Sequence, residues 1–313
     1  MIQRSNLKRT CNTDILDPWF ITGFFDAEGS FTISISKESR NKTGWRVKLI
    51  TSLTLHEKDK DILLKLKDYF NIGTIYKPRS NSICWSVTSL NDLDVLVNHF
   101  ESYPLVTKKR ADYELFKQAL NLLKTKEHLT KEGLMKIVSL KSVINLGLSP
   151  DLKEALMEDL YSNSNTIIET IERPEVVSSI PDSNWVSGFA SGEGSFGVQI
   201  YKANTKIGEA VKLSFTLVQH IRDENLVNSF KDYFDCGGVI NTENAVYFKV
   251  TKFSDLTGKI IPFFEKFYIL GVKSLDFKDF VKISEIMADG RHTTIEGLNE
   301  IKTIKSSMNK ERL

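Results

Sequence analysis

The chain has 313 residues, 41% of them hydrophobic and 26% charged, with a formal net charge of only +2. That length holds two domains of ordinary size, each with its own core, and that balance excludes a wholly disordered chain. No apolar run is long enough to span a membrane, and the opening MIQRSNLKRT does not lead into the apolar stretch of a secretory signal, so no membrane partner is expected.

In chain order, a tail over residues 1–16 carries Arg4, Lys8 and Arg9. A short helix follows. Asp17 reads as its N-cap and Pro18 as its first helical residue, Trp19, Phe20, Phe24 and Ala27 offer apolar surface, and Gly29 fits the stop. Such a helix is too short to be stable alone and must be held by tertiary packing. Phe31, Ile33 and Ile35 then alternate with Thr32, Ser34 and Ser36, the period of a strand with one wet face. A second strand is expected over 45–55 after a turn near 41–44, a helix over 58–70, and strands over 72–76 and 83–88. Helices over 93–101, 111–124 and 131–143 complete a first repeat, 17–160. Residues 161–183, with SNSNT, Pro174 and Pro181, read as a linker crossing the surface.

The second part, 184–313, repeats the first. GFFDAEGSF at 23–31 returns as GFASGEGSF at 188–196, and KDYF at 67–70 returns letter for letter at 231–234. Phe100-Glu101, Lys109, Asp112, Phe116, His128 and Asn145 meet Phe264-Glu265, Lys273, Asp276, Phe280, His292 and Asn309 in the same order and at almost constant spacing. One short motif can recur by chance; an ordered series across most of the chain cannot. The second copy therefore predicts a helix ending at Gly194, strands over 196–201, 210–219, 239–242 and 246–251, and a helix over 222–234. Each half is helix, two strands, helix, two strands, then helices, an α+β layout whose helices cover one sheet face and leave the other polar. Two such halves make a monomer with internal pseudo-two-fold symmetry.

Basic residues cluster although the total is nearly balanced. The polar faces and their turns carry Ser34, Ser36, Lys37, Arg40, Lys42, Arg46 and Lys48 in one half, and Gln199, Tyr201, Lys202, Lys206 and Lys212 in the other. Such side chains on ribbons suit a DNA major groove, where phosphate contacts fix register and base edges carry sequence. One alternating strand with lysines is equally a wet sheet face; two related sheets joined through tight helices favour a duplex. Cys11, Cys84 and Cys236 have no metal-knuckle spacing and read as incidental thiols in a reducing compartment.

Each short helix ends in an acid before glycine, Glu28 and Glu193. Gly23 with Ala27, and Gly188 with Gly192, put small residues one turn apart, which permits close backbone approach of two helices. Paired that way, the helices bring both glutamates to one floor. Two close carboxylates at negative helix ends disfavour each other's ionisation, and the arrangement makes sense around a hard divalent cation. The competing explanation, two solvent-facing acids at helix ends, loses weight because the duplication keeps both. Asp26 faces Ser191 in the other copy and reads as a structural or capping acid. Lys109 and Lys273 are matched candidates for phosphate clamps, with Lys108 an alternate. Gln219 would orient water or phosphate near the second acid, whereas the first copy has Leu55 there. His56 and His220 also match, but without a third ligand they read as packed or hydrogen-bonded.

The nonapeptides Ile21–Gly29, ITGFFDAEG, and Val186–Gly194, VSGFASGEG, with the strands and helices after each, resemble the single-chain, two-motif LAGLIDADG homing endonucleases typical of fungal mitochondrial introns. The resemblance covers nearly the whole chain and implies a pseudo-two-fold fold whose antiparallel sheets form a saddle over double-stranded DNA. It implies metal-binding carboxylates at Glu28 and Glu193, with the backbone carbonyls of Ala27 and Gly192 beside the metal. It also implies basic and glutamine pocket residues at Lys109, Lys273 and Gln219. The expected activity is site-specific cleavage of both strands of a long asymmetric target, with Mg²⁺ and with Mn²⁺ or Ca²⁺ able to occupy the same sites, leaving short 3′ overhangs. Mitochondrial location follows from family habit. Some relatives are maturases, so intron RNA stands as the alternative partner; a purely structural pseudo-dimer would need neither metal nor nucleic acid.

Overall fold

Two matched runs of helices and strands are built outward from one pair of crossed helices. The structure, a computed structural model, describes residues 16–161, 168–169 and 171–309. The tail residues Arg4, Lys8, Arg9 and Cys11, and residues 162–167 and 170 of the expected linker, lie outside the described residues.

The first half runs α1 (Pro18–Glu28), β1 (Gly29–Lys37), β2 (Trp45–His56), α2 (Lys60–Phe70), β3 (Thr74–Tyr76), β4 (Ser82–Val87), α3 (Leu90–Ser102), α4 (Lys109–Lys124), α5 (Lys131–Val143) and α6 (Pro150–Leu156). The second runs α7 (Ser183–Glu193), β5 (Gly194–Lys202), β6 (Glu209–His220), α8 (Glu224–Phe234), β7 (Gly238–Asn241), β8 (Ala245–Val250), α9 (Phe253–Asp255), α10 (Ile261–Lys266), α11 (Lys273–Ala288) and α12 (Ile295–Lys305). The sheets are antiparallel and ordered alike, β1-β2-β4-β3 and β5-β6-β8-β7. α6 was not anticipated; it is a short helix capped by Ser149 with Pro150 at its first turn, too brief for a periodic pattern to declare it.

Alternation in the strands sorts residues between core and exterior. Phe31, Ile33, Leu49, Leu53 and Trp85 enter the first core with Phe100 and Phe116 from the helices. Phe196, Leu213, Leu217 and Phe248 enter the second with Phe264 and Phe280. Each such side chain contributes roughly 1.5–3 kcal/mol by leaving water. The helices after β2 and β6 bury one stripe apiece, Ile62, Leu63, Leu66 and Phe70 in the first core and Leu226, Val227, Phe230 and Phe234 in the second. Among the described residues no helix is long and apolar enough to cross a membrane.

The two cores meet through α1 and α7. A Cβ added to Gly23 would lie 2.0 Å from the Trp185 carbonyl oxygen, and one added to Gly188 would lie 2.0 Å from the Phe20 carbonyl oxygen. The helices therefore touch backbone to backbone at equivalent places. The connecting segment is fastened to the first half: Arg173 donates to the Val143 carbonyl at 2.9 Å and pairs with Asp112 at 2.8 Å, while Ser178 donates to the Val106 carbonyl at 2.8 Å.

Gly23→Ala or Gly188→Ala should lower the unfolding free energy by about 3 kcal/mol, because a packed backbone must move apart to admit a methyl group. Gly258→Ala, in an exposed helical turn where an added Cβ meets nothing within 4 Å, should not lower it and should raise it by up to about 1 kcal/mol. Denaturant unfolding of the three variants measures both; equal effects would remove the close-packing explanation.

Candidate active site

Two helix ends make the floor of the saddle. Asp17 accepts from the Trp19 and Phe20 amides at 2.8 and 3.4 Å to start α1, and Asp182 accepts from the Asn184 amide at 2.7 Å to start α7. Both helices stop where Gly29 and Gly194 adopt extended backbone, with ψ of 151° at each. Neither glycine takes a left-handed cap; the chain passes straight from helix to strand, which pins Glu28 and Glu193 at the junction.

There the acids converge. A Cβ on Gly192 would lie 2.4 Å from the Ala27 Cβ and 3.2 Å from Glu28 Oε1, so the first carboxylate reaches the residue next to Glu193. Burial, then the charge of Glu28, pushes the Glu193 carboxyl up to about 7, against the pull of Lys109 and Lys273. Lys109 Nζ donates to the Phe25 and Ala27 carbonyls at 3.0 and 3.1 Å. Lys273 Nζ donates to the Ala190 carbonyl at 3.4 Å and to that of Gly192. Burial lowers both lysine pKa values, opposed first by Asp26 at Lys109 and first by Glu28 at Lys273. Each ammonium thus offsets the partial negative charge at a helix C-terminus, sharing the Phe25 or Ala190 carbonyl with the Gly29 or Gly194 amide and adding a donor at Ala27 or Gly192.

The chamber beside Glu28 is composite. A cavity of about 760 Å³ is lined by Glu28, Leu55, His56 and Asp59 of the first half and by Gly192 and Lys273 of the second. Sheet register equates Leu55, opposite Ile83, with Gln219, opposite Val246. In this structure the Gln219 side-chain oxygen accepts from the His220 amide at 2.9 Å. Lys108 turns away from the floor and donates to the Val176 carbonyl at 3.1 Å. The His56 and His220 rings accept from the Lys58 and Arg222 amides at 3.3 and 3.2 Å, capping matched turns.

Asp26 is fully buried and accepts from the Val106 amide, the Thr107 amide and hydroxyl, and Trp185 Nε1 at 2.9, 3.0, 2.7 and 2.8 Å. Burial raises its pKa against these donors. It ties α1 to the approach of α4 and to α7 of the other half. Its counterpart Ser191 accepts from the Leu270 amide at 3.1 Å. Sequence reasoning passed over Asp59 and Asp223; the available signal was their matched position after His56 and His220.

The floor offers a hard cation the Glu28 and Glu193 carboxylates, and the Ala27 and Gly192 carbonyls could join them once Lys109 and Lys273, which now donate to them, move aside. Among the described residues no group of three or more His, Cys, Asp or Glu is poised as a metal site, so water or phosphate oxygens must complete a coordination shell. The oxygen-only donor set and the mutual repulsion at Glu193 fit such an ion.

Flanking the floor, the strand faces away from the cores share a parity. Ser34 lies opposite Lys48 and Ser36 opposite Arg46; Gln199 lies opposite Lys212 and Tyr201 opposite Ala210. Arg40, Lys42 and Lys206 are exposed in the turns between these strands. Lys37 and Lys202, opposite Trp45 and Glu209, fall on the other parity. Lys37 sits 3.5 Å from Asp159 and over the Trp45 ring. The outer face also presents residues not singled out by sequence, including Thr32, Thr54, Ser214 and Lys249.

A duplicated α+β saddle with a shared acidic floor defines a class of protein, and comparison identifies its family. The LAGLIDADG endonuclease family model matches residues 21–120 and 186–284. The chain belongs to that family. It is similar to "Probable intron-encoded endonuclease 3" of Neurospora crassa, with 38% identity over 292 residues, 91% of this chain and 53% of the relative; the chain therefore spans about half of that relative's length. It is also similar to the I-SmaMI nuclease bound to uncleaved DNA target in the presence of calcium ions (42% identity, TM-score 0.89, 94% of this chain and 99% of that one). The I-CpaMI meganuclease bound to uncleaved DNA is comparable (43% identity, TM-score 0.89, 94% of this chain and 100% of that one).

The raised carboxyl of Glu193 makes stability depend on pH. Its folded pKa of about 7 exceeds the ordinary 4.5, so the folded chain binds the extra proton between those values. Without divalent cation, this stabilisation is full below pH 4.5 and roughly 3 kcal/mol is lost as pH rises through about 7. Melting curves across that window should fall for the native chain and flatten for Glu193→Gln, whereas parallel curves would contradict the assignment.

Proposed function

We propose that the chain is a site-specific homing endonuclease that acts as a monomer on double-stranded DNA. It hydrolyses one phosphodiester in each strand of a long asymmetric target and leaves short 3′ overhangs. The observation that carries this reading is the convergence of Glu28 and Glu193 beneath two polar sheet faces.

Each residue has a role that its surroundings support. Glu28 and Glu193, with the Ala27 and Gly192 carbonyls, hold divalent cations, Mg²⁺ in the working enzyme and Mn²⁺ or Ca²⁺ as substitutes. Bound there, such ions activate water and stabilise the leaving oxygen of a phosphodiester. Lys109 and Lys273, already poised over the floor, meet the charge that develops on the scissile phosphate. Gln219 orients water on its side; Leu55 offers no polar atom, which makes the two chambers chemically unequal. Ser34, Ser36, Arg46 and Lys48, with Gln199, Tyr201 and Lys212, face the grooves. Arg40, Lys42 and Lys206 reach the backbone from the turns, and Lys37 and Lys202 add charge at the strand ends. Phosphate neutralisation by this set makes affinity fall steeply with salt. The intron-encoded relatives support a mitochondrial location.

Selection of cut duplexes from a randomised or insertion-site library with Mg²⁺ present should return a single long sequence. On that target, Glu28→Gln and Glu193→Gln should each lose double-strand cleavage by about a thousandfold or more, while binding in Ca²⁺ stays within a few-fold of the native chain. Undiminished cleavage by either variant would refute the assigned chemistry. Binding of intron RNA in place of any duplex would favour the maturase reading.

A further inference from the structure

The helices that carry the site lysines are weakly capped from within their own halves: only the Thr107 hydroxyl, which accepts from the Lys109 amide at 3.2 Å, serves α4 locally. Lys108 precedes α4 and Val272 precedes α11, and neither side chain bonds to its helix. In each case the amide of that preceding residue is taken by a carboxylate from the opposite half. Asp223 Oδ1 accepts from the Lys108 amide at 2.7 Å, and Asp59 Oδ1 accepts from the Val272 amide at 2.7 Å. The two bonds occupy equivalent positions across the pseudo-dyad, and each lies one residue before a lysine, Lys109 or Lys273. Asp223 is 2% exposed and keeps Arg222 at 3.6 Å on its other oxygen. Asp59 lines the chamber that also holds Glu28 and Lys273. A carboxylate at a helix N-terminus satisfies an orphan amide and opposes the helix's positive end, so the bond fixes where the helix begins.

We propose that Asp59 and Asp223 are positioning residues, each setting the lysine of the other half so that a chamber is completed only across the interface. Asp59 holds the start of α11 and with it Lys273, which lines one chamber with Glu28, and Asp223 holds the start of α4 and with it Lys109, which bonds to the Ala27 carbonyl on the other side of the floor. Each acid therefore governs one strand. This rests on the nuclease reading above and deepens it.

The test uses the selected target with a different fluorophore on each strand, Mg²⁺, and excess enzyme. Asp59→Ala should slow nicking of one strand by about ten- to a hundredfold, and Asp223→Ala should slow the other, since small misplacements of a reacting group cost that much. Asp59→Asn and Asp223→Asn keep an oxygen that accepts the amide and should recover most of the rate. If an alanine variant does not fold, the glutamate variant, one methylene longer, must show the same strand bias. Equal slowing of both strands by each variant, or slowing that tracks lost duplex affinity, overturns the proposal. A native chain that cuts no duplex refutes the nuclease reading instead, so the two failures are distinguishable.

Discussion

Backbone contact between α1 and α7 is the constraint from which the rest of the molecule follows. With Gly23 against the Trp185 carbonyl and Gly188 against the Phe20 carbonyl, the helices come closer than side chains would allow. Glycines weaken both helices, so the contact persists only because each is locked into a large aromatic core. Trp185 stacks on Phe189 at 5.0 Å, and Phe25 meets Phe100 at 5.1 Å. The helices also end where the strands begin. Close approach at their middles therefore dictates close approach of the acids at their ends.

That proximity creates an electrostatic debt, which the lysines meet only in part. Two carboxylates and two ammonium groups share a half-buried floor, and the carbonyl ends of two helices add partial negative charge there. Lys109 and Lys273 bond to those carbonyls, yet Glu193 is still held near neutrality of its carboxyl. A site so arranged carries unmet negative charge that a bound cation would offset. Function and local instability have the same source.

Much of this was legible in the amino-acid sequence because it is periodic or repeated. Alternation from Phe31 to Ser36 marked a strand, and the return of GFFDAEGSF as GFASGEGSF marked both the duplication and the paired acids. What stayed hidden depends on contacts between distant residues. Asp59 and Val272 are 213 positions apart, and neither segment hints at the other. Strand ends were also opaque: Lys37 and Lys202 look like continuations of a basic face, but one step along a strand reverses the face. The linker's proline and polar content suggested a loose crossing, whereas Arg173 and Ser178 bind carbonyls of the first half. Its composition describes solubility and says nothing of those acceptors.

The halves have diverged in coordinated pairs. Asp26 takes four hydrogen bonds, one from Trp185 across the interface. At the equivalent places stand Ser191 and Phe20, an acceptor needing fewer donors and a ring with no N–H to give. A buried aspartate without Trp185 would lose one of its four donors, and the Trp185 indole without Asp26 would lose its acceptor, so each side chain depends on the other. Leu55 and Gln219 break symmetry at a matched strand position, where one half places an apolar wall beside Glu28 and the other an amide. A homodimer cannot make such changes singly, because every substitution appears twice. Fusion into one chain lets each half keep the glycines, acids and lysines of the shared floor while its sheet and the wall beside that floor change independently of the other half.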